Sequence, residues 1–233
     1  MLIDPDKCAV EMLPAFTACC HDAGVDAFFV GGSLLHATAF DAYLRQLRTL
    51  THLPLIGFPG SIGQISAELD ALLFLSVISG RNAEYLFGQH VHAAPLLRGL
   101  GLEPISTGYM LVESGRATTA QYISHTMPLP RHKPDVAAAT ALAAEMLGMR
   151  LLYADGGSGA DQTVPEEMIA AICEVCTTPL IVGGGLRTPD AVARKVRAGA
   201  GLIVVGTALE RRPDAAYIAD LAAAAHGAVT RSV

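Results

Sequence analysis

The stretch TPLIVGGGLRTPDAVARKVRAGAGLIVVGTALE, residues 178–210, decides the fold. Two short apolar runs, PLIV (179–182) and GLIVVG (201–206), are rich in β-branched residues, as buried strands are. Between them, residues 188–198 read as a helix opened by Thr188 and Pro189. Strands joined through a helix suggest a parallel pair, because parallel strands need a crossover and cannot be joined by a hairpin turn. The glycines lie just past each apolar run, at the strand ends where a parallel β/α fold places its ligands.

The same alternation extends over the chain. LI before Asp4, AFFV (27–30), PLIGF (54–58), LLFLSVIS (72–79), EPISTGYMLVE (103–113) and RLLYAD (150–155) bring the predicted strands to eight. Helical patterns also cover 9–23, 39–50, 83–99, 133–147, 164–175 and 215–225, and Gly148 is the expected stop of the one over 133–147. Eight evenly spaced strands favour a closed (β/α)8 barrel, a TIM barrel, in one domain spanning residues 1–233. One unit is weak: between the third and fourth strands, 65–69 leaves no room for a full helix. The segment 114–132 is polar and proline-containing, and reads as a functional loop.

A formal charge of −6 and the absence of a Lys/Arg stripe argue against a general nucleic-acid surface. The apolar content is high, 52%, yet no run approaches the length of a membrane span. The N-terminus has no signal-peptide pattern, and the five cysteines have no metal-like spacing, so a reducing, cytoplasmic setting is expected. Cys173 and Cys176 form CxxC in mid-helix, where a structural role outweighs a redox one.

Glycine lets backbone amides approach a ligand without a Cβ in the way. Gly183, Gly184 and Gly185 end one strand, and Gly206 and Thr207 the next. The helix beginning near Thr188 adds unpaired amides and a positive dipole end, so phosphate is the natural guest. GGGLRT lacks the spacing of a dinucleotide fingerprint, and no Walker sequence occurs.

The sixth strand ends YADGGSGADQ, placing Tyr153, Asp155, Gly156, Gly157, Ser158 and Gly159 on the same rim. Asp155 can accept a proton or hydrogen bond from a substrate hydroxyl, or equally cap a turn. The first strand ends IDPDK, and Asp4 and Asp6 beside a phosphate suggest Mg²⁺, with Ser33 of FFVGGS as a further oxygen ligand. Glu113, Arg116, His125, Arg131, His132 and Lys133 offer charges for a second anion, while His90 and His92 read as a solvated helix face. Aromatic residues gather around strands three to five, and a few of them can line an apolar groove. These residues alone fit a phosphosugar isomerase or aldolase-like barrel, although no strand-end lysine stands out for an aldolase. They also fit a non-catalytic phosphometabolite-binding protein.

Taken together, LIDPDK, FFVGGS, IGFPGS, PISTGYMLVESG, YISHTMPLPRHKPDVAAATALAAEMLGMRLLYADGGSGA, VGGGLRTPDAV and IVVGTALE resemble the geranylgeranylglyceryl phosphate synthase / heptaprenylglyceryl phosphate synthase family, in particular its second group. The resemblance runs nearly end to end. It implies a modified TIM barrel with an irregular segment at the third helix position. The implied activity is Mg²⁺-dependent transfer of a polyprenyl group, geranylgeranyl by first expectation, from its diphosphate to sn-glycerol 1-phosphate. Asp4 and Ser33 then match Mg²⁺-associated positions. Tyr153, Ala154, Asp155, Gly156, Gly157, Ser158 and Gly159 match the glycerol phosphate site, which Gly184, Gly185, Gly206 and Thr207 close around the phosphate. Tyr109 falls on the prenyl side, and Asp155 is the expected base. A homo-oligomer and transient contact with a membrane surface are also implied. The chain departs from the family pattern at Asp155, where glutamate is usual in YLEAGSG, and at Leu2, where some members carry lysine.

Overall fold

Every predicted strand forms, and the strands lie side by side in chain order. The computed structural model describes residues 1–36, 39–206 and 214–227. The strands are β1 (Leu2–Ile3), β2 (Phe28–Val30), β3 (Leu55–Gly57), β4 (Ala71–Val77), β5 (Glu103–Leu111), β6 (Leu151–Asp155), β7 (Leu180–Gly183) and β8 (Leu202–Val204). All seven neighbouring pairs from β1–β2 to β7–β8 are parallel. Leu2 N–H donates to the Val205 carbonyl at 2.9 Å, which brings the last strand back to the first. This is the (β/α)8 barrel that the alternation predicts, in the modified form that the family resemblance implies.

The helices are α1 (Leu13–Asp22), α2 (Phe40–Leu50), α3 (Gln89–Leu100), α4 (Thr119–Ser124), α5 (Pro134–Met146), α6 (Glu166–Val175), α7 (Pro189–Arg197) and α8 (Ala215–Gly227). Between β3 and β4 there is only a 3-10 turn, Ile62–Gln64, where a regular barrel has a helix. The segment predicted as one helix over 83–99 begins instead with a π turn, Glu84–Gly88, before α3. A second 3-10 turn, Val10–Met12, precedes α1. The expected loop 114–132 contains α4, whose N-cap Thr118 accepts a hydrogen bond from Gln121 N–H. Gly148 ends α5 in the left-handed conformation, as its position predicts.

Side chains alternate along each strand between barrel interior and helix layer. Phe29, Leu73, Tyr109, Leu111, Tyr153 and Ile181 face inward and fill the barrel. Their neighbours Met110, Leu152, Ala154 and Val182 face outward and pack under α5 and α6, whose Ala137, Ala141 and Ala144 let the helix lie close. Lys195 of α7 is fully buried and pairs at 3.0 Å with Glu166 of α6, which also accepts from Arg194 at 2.9 Å. Burial pushes the Glu166 carboxyl up, but the two cations outweigh it and bring its pKa down to about 2.

The loop after β2 is held from below. Gln64, buried in the 3-10 turn, accepts from Gly32 N–H at 3.1 Å and donates to Gly32 O at 2.8 Å. Gly31 has φ +146°, and a Cβ there would lie 2.2 Å from the Phe58 carbonyl oxygen. Backbone strain and overpacking then add. Gly31→Ala is expected to destabilise the protein by more than about 2 kcal/mol, read as a lower midpoint in urea unfolding.

Candidate active site

Inward-facing residues at the C-terminal ends of the strands build two adjoining depressions. The first is a polar cleft of about 1280 Å³, counting the space open to solvent at its mouth. Asp4 and Ser33 contribute from the ends of β1 and β2, and Tyr153, Asp155, Gly157, Ser158 and Gly159 from β6 and the turn beyond it. Gly184 and Gly185 enter from β7, and Gly206 from β8. The second is an apolar groove of about 890 Å³, formed over the irregular third unit by Ile65, Leu72, Phe74, Val77, Tyr85 and Ile123 among others. The missing helix between β3 and β4 leaves this side of the barrel open. Gly32, Ser33, Phe58, Tyr109 and Ala120 belong to both walls.

Asp155 lines the polar cleft, bonded to Tyr109 of the shared wall. Its inward direction follows from β6, on which Tyr153 and Asp155 share a face and Ala154 takes the other. The carboxylate is buried, 6% exposed. Its Oδ2 accepts from the Tyr109 hydroxyl at 2.5 Å, and its Oδ1 accepts from Gly157 N–H at 2.7 Å. Burial raises its pKa above the ordinary carboxylate range, while the Tyr109 hydroxyl and the Gly157 amide pull the other way. Burial and the Asp155 charge hold both Tyr109 and Tyr153 well above a normal phenol. Phe58 completes an aromatic floor, stacked on Tyr153 at 5.4 Å and edge-on to Tyr109 at 5.9 Å.

The glycines are spatial requirements. A Cβ on Gly184 (φ +83°) would lie 2.6 Å from Asp155 Oδ1 and 2.7 Å from the amide nitrogens of Gly156 and Gly157. A Cβ on Gly157 would strike Thr118, which ties the turn after β6 to the start of α4. The Thr188 side chain caps α7 by accepting from Ala191 N–H at 3.2 Å.

Asp4 is buried and accepts from Asp6 N–H at 3.1 Å, and Lys7 Nζ lies 2.6 Å from its Oδ2. Lys7 therefore brings a cation into the cleft, while Leu2 is a wall residue packed beside Gly206. Asp4, Asp6 and Ser33 all line the same cleft, which suits an ion that takes few protein oxygens and completes its shell with substrate phosphate and water. Among the described residues, no cluster of three or more His, Cys, Asp or Glu forms a self-sufficient metal centre.

Some sequence expectations move. Ala154 is fully buried in the helix-facing core and does not line the cleft, because strand alternation points it outward. Gly156 likewise does not line it, and its amide donates to the Gly183 carbonyl. Tyr109 is not confined to the prenyl side, since its ring reaches the groove and its hydroxyl the polar cleft. Thr207 lies outside the described residues. The charges from the 114–132 segment do not enter the polar cleft. Arg131 instead donates to the Glu113 and Thr163 carbonyls, and Arg116 to that of Gly159. His90 is buried against Phe74, with ring centres 4.1 Å apart, and lines the groove rather than a solvated face.

Arg187 was not singled out by sequence reasoning. It lines the cleft and donates only to carbonyls, of Gly185 and of Ala160 at 2.7 Å, among the contacts described. Its position two residues past the glycines of VGGGLRT was the available signal. All five cysteines are free thiols. Among the described residues no helix is long and apolar enough to cross a membrane.

Fold and site together define a modified TIM barrel whose mouth joins a polar, glycine-walled cleft to an apolar groove. The chain belongs to the PcrB family, whose model it matches over residues 1–224. It is 46% identical to the geranylgeranylglyceryl phosphate synthase of Chitinophaga pinensis over 228 residues, covering 98% of this chain and 90% of that protein. It is 49% identical to the enzyme of the same name from Spirosoma linguale over 214 residues, covering 92% and 86%. Among solved structures it resembles (S)-3-O-geranylgeranylglyceryl phosphate synthase from Thermoplasma acidophilum in complex with its substrate sn-glycerol-1-phosphate. That match has a TM-score of 0.90 at 32% identity and covers 96% of this chain and 90% of the other.

A carboxyl group whose folded pKa is raised favours the folded state at low pH, and that contribution is lost as pH rises through the folded value. Above it, the buried Asp155 carboxylate costs stability. Asp155→Asn is accordingly expected to raise the melting temperature at neutral pH, with a gain that shrinks on acidification. Thermal melts of both proteins at pH 4 and pH 8 check this.

Proposed function

We propose that this protein is a Mg²⁺-dependent prenyltransferase joining a polyprenyl diphosphate, geranylgeranyl diphosphate by preference, to the 3-hydroxyl of sn-glycerol 1-phosphate. The products are an ether-lipid precursor and diphosphate. One observation carries the reading: a buried carboxylate in a polar, glycine-walled cleft is hydrogen-bonded by Tyr109, which also lines the adjoining apolar groove. Such a site can bring a small phosphorylated alcohol to the end of a long hydrocarbon. The likeness to synthases of this name supports it, including one whose structure holds sn-glycerol-1-phosphate.

Glycerol 1-phosphate lies in the polar cleft, its phosphate against Gly184, Gly185, Gly206 and the α7 N-terminus, with Arg187 as counter-charge. The prenyl chain lies in the groove beside Phe74, Tyr85 and Ile123. Asp4 and Ser33, with Asp6 nearby, would hold Mg²⁺, which when bound supplies charge neutralisation for the departing diphosphate. The allylic C–O bond to diphosphate breaks, and the glycerol 3-hydroxyl oxygen bonds to the allylic carbon. Asp155 accepts the hydroxyl proton, its raised pKa making it a stronger base than an exposed carboxylate. The aromatic floor of Phe58, Tyr109 and Tyr153 keeps water from the developing cation.

The purified protein, supplied with Mg²⁺ and C15 to C35 prenyl diphosphates, is expected to turn over with sn-glycerol 1-phosphate and to discriminate against its enantiomer. Asp155→Ala should lower kcat by about 100-fold or more. Absence of product with every diphosphate, or full activity in Asp155→Ala, contradicts the proposal.

A further inference from the structure

The groups around Asp155 set how its carboxylate can face a substrate. Tyr109 lies on β5 and Asp155 on β6, and the strand register pairs Tyr109 with Tyr153 and Leu111 with Asp155. The phenol must therefore reach diagonally along the barrel interior to meet Oδ2, and it does so at 2.5 Å. Gly157 N–H holds the other oxygen at 2.7 Å. A carboxylate fixed at both oxygens cannot rotate, which leaves its remaining lone pairs in set directions. The ring of Tyr109 is itself fixed between Phe58 and Tyr153, at 5.9 and 5.3 Å. Because Tyr109 lines both depressions, a chain seated in the groove presses on the residue that holds the carboxylate.

We propose that Tyr109 is the positioning residue of this site: its hydroxyl clamps the Asp155 carboxylate at the boundary between the polar cleft and the apolar groove. This role rests on the prenyl-transfer reading for its consequence in catalysis, but the clamp exists in the free protein. Among the described residues, the other ionisable groups lining the cleft around the pair are Tyr153 from β6 and Asp4, Asp6, Lys7, His36 and Arg187.

The hydrogen bond from Tyr109 favours the ionised form of Asp155. In Tyr109→Phe the ring and its packing stay and only the hydroxyl goes, so Asp155 should titrate at a higher pH than in the unaltered protein. Carbon-13 NMR of aspartate carboxyls reads this without any substrate, with Asp155→Asn assigning the resonance. In the unaltered protein the Tyr109 Cζ resonance should shift with the same midpoint as the Asp155 carboxyl. An unmoved Asp155 titration in Tyr109→Phe overturns the clamp. A Tyr109 resonance that ignores the Asp155 titration overturns it too, with no substitution at Tyr109 required.

In turnover assays, Tyr109→Phe should lower kcat about tenfold, the size of one lost hydrogen bond to a charged group. The KM for glycerol 1-phosphate should change little, and the acidic limb of the pH profile should move upward with the NMR midpoint. An unchanged kcat and limb would overturn the positioning role. If the unaltered protein forms no prenyl product while the NMR coupling holds, the prenyl-transfer reading fails and the clamp stands.

Discussion

The hydrogen bond from Leu2 N–H to the Val205 carbonyl closes a sheet whose first and last strands have only two and three residues. Closure removes both sheet edges and brings the ends of all eight strands into one ring. Asp4 and Gly206, far apart in the chain, can share a cleft wall only because of it. The interior of so small a barrel is filled by side chains, and the aromatic floor is the uppermost part of that filling. The site is the top of the core.

Basicity and stability oppose one another at Asp155. A carboxylate at the lip of a cleft would be solvated and weakly basic, whereas Asp155 is buried and retains two protein hydrogen bonds. Burial raises its basicity and lowers the stability of its ionised form. Gly184 lets the backbone after β7 lie against this carboxylate, with no Cβ to intervene. The asymmetry of the barrel serves the other half of the site. Replacing the helix after β3 with the turn Ile62–Gln64 opens the groove, and Gln64 reaches across to pin Gly32 at the boundary.

Much of this was legible in the residues. Strand-length apolar runs separated by amphipathic segments carry their own periodicity, so all eight strands could be placed, with β5 ending two residues before its apolar run does. The absence of a helix after β3 showed as a lack of room. Asp155, Gly184 and Gly206 were legible as strand-end residues of a parallel fold. His90 was misplaced because a π turn at Glu84–Gly88 rotates the face of the following helix, and no local pattern announces that turn. Ala154 was included because a motif is contiguous, whereas a strand shows alternate residues to opposite sides.

By itself the sequence determined the order and type of the elements, the glycine positions and the polar residues at the strand ends. These depend on local propensity and periodicity, which the chain carries at short range. Only the tertiary structure decided that Tyr109 belongs to both halves of the site, that Asp155 is buried and held at both oxygens, and that Arg187 lines the polar cleft. Those facts follow from strand register and barrel closure, which join residues separated by tens of positions. No window of sequence contains such contacts.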